Sequence, residues 1–248
     1  MSLLQTLIRG KTPTMPKGII CGPPGCGKTT FGASAPGHIL IDCENGANAT
    51  AANRTPYLET WPQMQSWLRA LLDEKHENKV VVIDTIDWLV RRMEEHVSGA
   101  KADAKETLNR SHGGYGNGKQ VLKNEIYLNL LPMLDKLVCQ GIGVILLAHA
   151  SRQDVIDADG VAVEKTVPAL PRDFLETFTE WSDFVCTVRR DRDGGRYLST
   201  VEDDRVLAKN RYGLPAAIPF TWPDFSGEIK KFYTVQSTEK TEKKEAAK

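Results

Sequence analysis

The chain has 248 residues, a length that suits one α/β domain with additions or at most two small domains. Apolar residues make up 41% and charged residues 26%, the ordinary balance of a soluble globular protein. Lys+Arg and Asp+Glu number 32 each, so the formal net charge is zero, which excludes nucleic-acid binding by overall charge alone and leaves only a local patch.

The segment "MSLLQTLIRG" is too short and too weakly apolar for a signal peptide. No run of about 18 apolar residues exists to span a membrane. The five cysteines (Cys21, Cys26, Cys43, Cys139, Cys186) show neither C-x-x-C nor zinc-finger spacing. An odd count without framework spacing fits a reducing cytoplasm, with buried thiols rather than bridges. A cytoplasmic protein with no membrane partner is expected.

After Pro16, "KGIICG" reads as a short buried strand, and a glycine-rich loop follows that opens a helix at Lys28. "HILIDCENG" is a second strand with a polar end. In "WPQMQSWLRALLDEK", Met64, Trp67, Leu68, Leu71 and Leu72 recur at helical spacing. "KVVVIDTID" is a third strand, continuously apolar as parallel strands buried on both faces are. "WLVRRMEEHV" continues as a helix.

Residues 98–119 then break the pattern. Gly113, Gly114, Gly116 and Gly118 fall within six residues, and no apolar period is visible, so a long loop is expected. "QVLKNEIYLNLLPMLDKLVCQG" is a long helix containing Pro132, and "IGVILLAHA" is a fourth strand. Residues 151–172 read as a second irregular stretch with a hairpin turn signal at Asp159-Gly160. "DFLETFTEW" is a short helix, and 183–233 reads as β-rich. "DADG" and "DRDG" lack the other ligands of a calcium loop and read as turns. One domain over 1–235 is expected, with a disordered charged tail over 236–248. Strands alternating with helices predict an α/β fold, a mostly parallel sheet wrapped by helices with a C-terminal β-rich extension. The polar strand ends should share one edge, where ligands sit in such sheets.

Gly22-Pro23-Pro24-Gly25-Cys26-Gly27-Lys28-Thr29 matches G-x-x-x-x-G-K-[ST] in full, between a strand and a helix. Such a loop, continued by Thr30, turns backbone N–H groups around a β-phosphate. Lys28 should reach the β- and γ-phosphates, and Thr29 should offer its hydroxyl to Mg²⁺. Asp84, ending an apolar strand, is the second expected Mg²⁺ ligand. Asp87 reads as a helix cap or a neighbour of the site. ATP and Mg²⁺ are the expected cofactors.

The loop text resembles that of AAA+ ATPases. Those normally follow the Walker B Asp with a catalytic Glu, whereas Asp84 is followed by Thr85. Hydrolysis still needs a group to orient and deprotonate water. "HILIDCENG" resembles the RecA family, in which a strand ending Ile-Asp-x-Glu carries that glutamate. The resemblance implies Glu44 as the base and His149, at the end of the fourth strand, as γ-phosphate sensor. Lys209-Asn210-Arg211-Tyr212-Gly213 resembles the Lys-Asn-Arg-Phe-Gly motif of bacterial RadA and a related segment of DnaB-type helicases. That implies Lys209 and Arg211 as a basic finger reaching a neighbouring subunit's γ-phosphate. Residues 17 to 215 carry these matches in the family's order. They resemble phage RecA-like ATPases of the Sak-type single-strand annealing group.

The resemblance implies single-stranded DNA as partner, a homo-oligomer (ring or filament) and DNA-stimulated ATP hydrolysis for annealing or recombination. It also admits a single-strand DNA binding protein as a partner. In such recombinases two mobile loops contact DNA: one follows the fourth strand, here residues 151–172 with nearly balanced charge, and the other follows Walker B. Here that loop carries Lys101, Lys105, Arg110 and Lys119, with Tyr115 to stack on a base. Two alternatives stay open: a small-molecule kinase with the loops as a lid, and a nucleotide-dependent assembly factor that does not bind DNA.

Overall fold

The structure, a computed structural model, describes residues 3–8, 12–99, 107–156 and 160–245, leaving aside the side chains of 3, 5 and 234–245. In chain order the elements are β1 (Lys17–Gly22), α1 (Lys28–Ala33), β2 (His38–Asp42), α2 (Trp61–Asp73), β3 (Val80–Asp84) and α3 (Ile86–Ser98). Next come α4 (Asn117–Glu125), a π-helical turn (Ile126–Leu130), α5 (Leu131–Cys139), β4 (Gly143–Ile156), β5 (Ala162–Pro168) and α6 (Arg172–Trp181). The chain ends through β6 (Phe184–Arg190), β7 (Arg196–Ser199), β8 (Lys209–Asn210), β9 (Ala217–Pro219) and α7 (Trp222–Glu245).

The sheet runs β2-β3-β4-β1-β6-β7-β9, with β5 paired to β4 and β8 to β6. β2, β3, β4, β1 and β6 are parallel, and β5, β7, β8 and β9 are antiparallel additions. The fold is therefore the expected α/β architecture with a mixed, mostly parallel sheet. Period-2 alternation divides the strands between two cores. Ile19, Ile41, Val81, Ile83 and Leu146 pack under α2, α3, α4, α5 and α6. Ile20, Val82, Ile145, Leu147 and Cys186 pack under α1 and α7. Trp61, Met64, Leu68 and Leu71 form the buried stripe of α2, which begins with a capping box between Thr60 and Gln63.

Register brings the polar strand ends to one edge, as the sequence predicts. Asp42 lies opposite Asp84, Asp84 opposite Leu147, and Gly22 opposite His149. Among the described residues no helix is long and apolar enough to cross a membrane.

Three expectations need correction. Residues 151–172 are not irregular: β4 continues to Ile156 and folds back through β5, with Ser151 opposite Val167 and Ile156 opposite Ala162. Their alternating exposure is the period-2 pattern of a strand, which the balanced charges obscured. The helix containing Pro132 is not uniform. A π turn precedes α5, and Pro132 stands in the first turn of α5, where its missing N–H costs least. The β-rich reading of 183–233 ends early, because α7 starts at Trp222. Phe225 and Ile229, four residues apart, bury one face of α7 against Phe31 and its neighbours. The backbone of α7 runs on to Glu245.

Candidate functional site

β1 ends at Gly22 and hands the chain to the glycine loop. Gly25 (φ 71°) and Gly27 (φ 95°) occupy the left-handed region that a side chain disfavours. Pro23, Pro24 and Gly25 are exposed, whereas Cys26 is buried beneath the loop. Gly22 must be small, since a Cβ there would lie 2.8 Å from Cys26 Sγ. Lys28 opens α1 and is only 6% exposed. Its Nζ donates to the Gly22 carbonyl at 3.0 Å and the Pro23 carbonyl at 3.1 Å. The ammonium is thus folded into the loop, where phosphate oxygens would replace those carbonyls.

Thr29 Oγ1 donates to Asp84 Oδ2 at 2.7 Å. Asp84 Oδ1 is buried with no hydrogen-bond partner. Burial pushes the Asp84 carboxyl up to about 6, against the Thr29 hydrogen bond and with the Glu44 charge adding to the rise. A buried, unpartnered carboxylate oxygen beside a threonine hydroxyl fits a Mg²⁺ ion completed by phosphate oxygens and water. Among the described residues no group of three or more His, Cys, Asp or Glu could hold a metal ion alone.

Glu44 follows β2 on a fixed turn. Cys43 N–H donates to the Asp84 carbonyl at 2.8 Å, and Asn45 N–H donates to Asp42 Oδ1 at 2.8 Å with Asn45 at φ 61°. Gly46 leaves room for the Glu44 side chain: a Cβ there would stand 2.9 Å from Glu44 Oε1. Thr85 Oγ1 donates to Glu44 Oε2 at 3.2 Å, and His149 Nε2 lies 3.8 Å from the same oxygen. His149 Nδ1 is 2.8 Å from Asp87 Oδ2, and His149 N–H donates to Asp87 Oδ1 at 3.0 Å. The hydrogen bond with Asp87 raises the imidazole pKa against partial burial. Burial works to raise Asp87, but its bonds with the His149 side chain and backbone hold it below the usual carboxylate range.

Lys28, Thr29, Glu44, Asp84 and His149 therefore meet at the C-terminal edge of the sheet. Thr85, not Asp87, is the N-cap residue of α3. Asp87 sits in the first turn and spends its side chain on His149. Arg196, on β7, also reaches the loop: its Nη1 donates to the Cys26 carbonyl at 2.7 Å and occupies the space beside Gly27. Nothing in the sequence marks Arg196, because it approaches from a hairpin 170 residues away. Asp87 was visible, three residues past Asp84, but only the register that sets β4 beside β3 shows its partner.

Lys209 and Arg211 lie elsewhere. Val185 opposes Lys209 and Phe184 opposes Asn210 at the N-terminal end of β6, where Gly18 on β1 also pairs. This is the end of the sheet away from the glycine loop. Lys209 Nζ donates to the Thr179 and Glu180 carbonyls, both at 2.8 Å, at the C-terminus of α6. Burial and the neighbouring Arg211 lower its pKa. Arg211 pairs with Asp183 at 3.0 Å.

Of the expected DNA contacts, Lys101 and Lys105 lie outside the described residues. Arg110 is exposed, and Tyr115 is fully so. Residues 107–116 are tied by turns, including Gly116 N–H to the Asn109 carbonyl at 3.2 Å and Ser111 N–H to the Thr107 carbonyl at 2.8 Å. Lys119 belongs to α4 rather than to a loop and pairs with Asp173 at 3.0 Å.

No curated protein matches the chain. A family profile described as an AAA domain matches residues 14–212. That span holds the glycine loop, Glu44, Asp84, His149 and the Lys209-Asn210-Arg211 segment. At the position after Asp84 where AAA+ proteins place a glutamate this chain has Thr85, and the glutamate at this edge is Glu44. With its phosphate loop and Asp84 in place, the chain belongs to the AAA-domain family, as a P-loop NTPase-type protein.

Proposed function

We propose that the protein is an Mg²⁺-dependent ATP hydrolase that assembles with itself and binds single-stranded DNA, serving annealing or recombination as phage Sak-type ATPases do. The observation that carries the hydrolytic part is the meeting of Glu44 with Thr85, His149, Asp84 and Lys28 at one sheet edge.

The loop N–H groups and Lys28 hold the β- and γ-phosphates. Thr29 and Asp84 would hold Mg²⁺, which would neutralise charge on those phosphates. Glu44 would stand beside the γ-phosphate and accept a proton from the attacking water. Thr85 steadies the glutamate from one side through its hydroxyl. His149 offers Nε2 to the γ-phosphate. Lys209 and Arg211 act on a neighbouring subunit's nucleotide after leaving Glu180, Thr179 and Asp183. Such a cation is worth roughly 10³-fold or more in rate. The exposed Tyr115 and Arg110 support a stacking and phosphate-contacting role for the segment before α4.

ATP turnover measured with and without single-stranded DNA, over a range of protein concentration, tests all parts together. Stimulation by DNA and a rate per subunit that rises with concentration are expected. Glu44→Gln should bind ATP and lose turnover by roughly 10²-fold or more. Wild-type turnover in Glu44→Gln would sink the assignment. A phosphorylated small molecule as product would replace it with a kinase.

A further inference from the structure

We propose that Asp87 is a positioning residue of the hydrolytic site: its carboxylate takes both the backbone N–H and the imidazole of His149 and fixes the Nε2 edge toward Glu44. The inference rests on the reading of Glu44 as the base. Asp87 has no part in holding nucleotide or metal in that reading.

The geometry leaves His149 little freedom. Its N–H is held by Asp87 Oδ1 at 3.0 Å, and its carbonyl accepts Ala169 N–H at 2.7 Å where β5 ends. The side chain then has only its own torsions, and the 2.8 Å contact from Nδ1 to Asp87 Oδ2 fixes those. An ionised carboxylate accepts and cannot donate, so Nδ1 carries a proton. The opposite nitrogen, Nε2, is left facing Glu44 Oε2 at 3.8 Å. That separation is too long for a hydrogen bond and short enough for a phosphate oxygen to compete for the same edge.

The charged groups facing His149 come from three elements: Asp87 on α3, Glu44 after β2 and Lys28 on α1. Two acids against one base favour the imidazolium, consistent with the raised imidazole pKa. Asp87 is itself well placed to stay ionised in the first turn of α3. A ring held in this way presents one N–H donor to Glu44 before nucleotide enters and to the γ-phosphate afterwards. Without Asp87, the ring would be free to turn and Nδ1 free to lose its proton.

The alternative is that Asp87 merely staples α3 to β4. Asp87→Asn separates the two roles in the full-length chain. The amide oxygen still accepts the His149 N–H, but the amide nitrogen faces Nδ1 and forces the other tautomer. The His149 titration is followed by NMR, with His149→Gln identifying its signal among the five histidines. ATP affinity, turnover and melting temperature are measured alongside. Asp87→Asn should lower the His149 midpoint by about one pH unit or more. It should cut kcat by roughly tenfold or more while ATP affinity stays within about twofold. Adding Asp87→Asn to His149→Gln should cost nothing further.

Wild-type kcat in Asp87→Asn, an equal loss in the His149→Gln background, or an unshifted midpoint would each overturn the proposal. If the wild-type protein hydrolyses no ATP, the hydrolytic reading fails by itself, and the titration still decides whether Asp87 governs His149.

Discussion

Asp84 shows the cost of burying an acid. It is 2% exposed, one oxygen has no partner, and burial lifts its carboxyl from 3.8 to about 6. A raised carboxyl means that the folded protein binds more protons than the unfolded chain between those values. Stability from this group therefore falls as pH rises from about 4 to about 6. Asp84→Asn should consequently stabilise the metal-free, nucleotide-free protein by roughly 1–3 kcal/mol at neutral pH while removing Mg²⁺-dependent turnover. Urea unfolding at neutral pH without metal checks the first half, and lower stability than wild type would refute it. His149 has the same direction of pH dependence, but here the charged form is the favoured one. Its folded pKa is raised, so its contribution is fully present below the ordinary value of 6.5 and is lost as pH rises through the folded value. Asp87, held below 3.8, contributes above that value and loses its contribution as pH falls. The stability gap between wild type and His149→Gln should be largest near about pH 5.5 and shrink by about pH 9. The imidazole is partly exposed, so solvent screening holds the gap below about 1 kcal/mol.

At the level of elements, close approach of backbones sets where the sheet tolerates no change. Gly18 on β1 pairs with Phe184 on β6, and a Cβ there would run into the Phe184 carbonyl oxygen and its ring. Gly32 on α1 packs over Val82, where a Cβ would meet a methyl group at 2.7 Å. Backbone in a paired strand cannot yield as a valine side chain can. Gly18→Ala should therefore cost about 2–4 kcal/mol and Gly32→Ala distinctly less, read as a shift in urea midpoint at constant slope. Equal costs would contradict this account. The same elements show what the sequence makes legible. β1, β3 and β4 are apolar runs closed by Gly22, Asp84 and His149, so their type and their shared polar edge follow from hydropathy and turn chemistry. The β4–β5 arm does not, because its alternation lies beneath balanced charges and only pairing with Ala162–Pro168 makes it a strand. Glu44 is legible as the acid two residues past Asp42. The links of Thr85 to Glu44 and of Asp87 to His149 join separate strands and helices, which no local pattern encodes. Arg196 depends on where a distant hairpin folds.

For the whole molecule, the decisive fact is the placement of Lys209 and Arg211 at the end of the sheet away from the glycine loop. No rotamer carries them to Lys28 across the length of β1 and β6 within one subunit. If they serve hydrolysis at all, they serve a second copy, through a head-to-tail contact that joins one end of a subunit to the nucleotide edge of the next. Their present partners would be exchanged on assembly: Arg211 leaves Asp183, and Lys209 leaves the α6 carbonyls. This makes a mixing experiment possible. Lys28→Ala has a dead phosphate loop with an intact finger, and Arg211→Ala has an intact loop without the full finger. Each alone should be nearly inactive. In an equal, randomly assembled mixture, half the sites keep Lys28 and half of their donors keep Arg211. Turnover should then recover to roughly a quarter of wild type if sites fire independently, and should rise with total protein concentration. Recovery in the mixture cannot come from any cis mechanism, since neither chain holds both parts. A mixture that stays as inactive as its components, although the two variants co-assemble, would remove Arg211 from the reaction and leave its ion pair with Asp183 as its whole role.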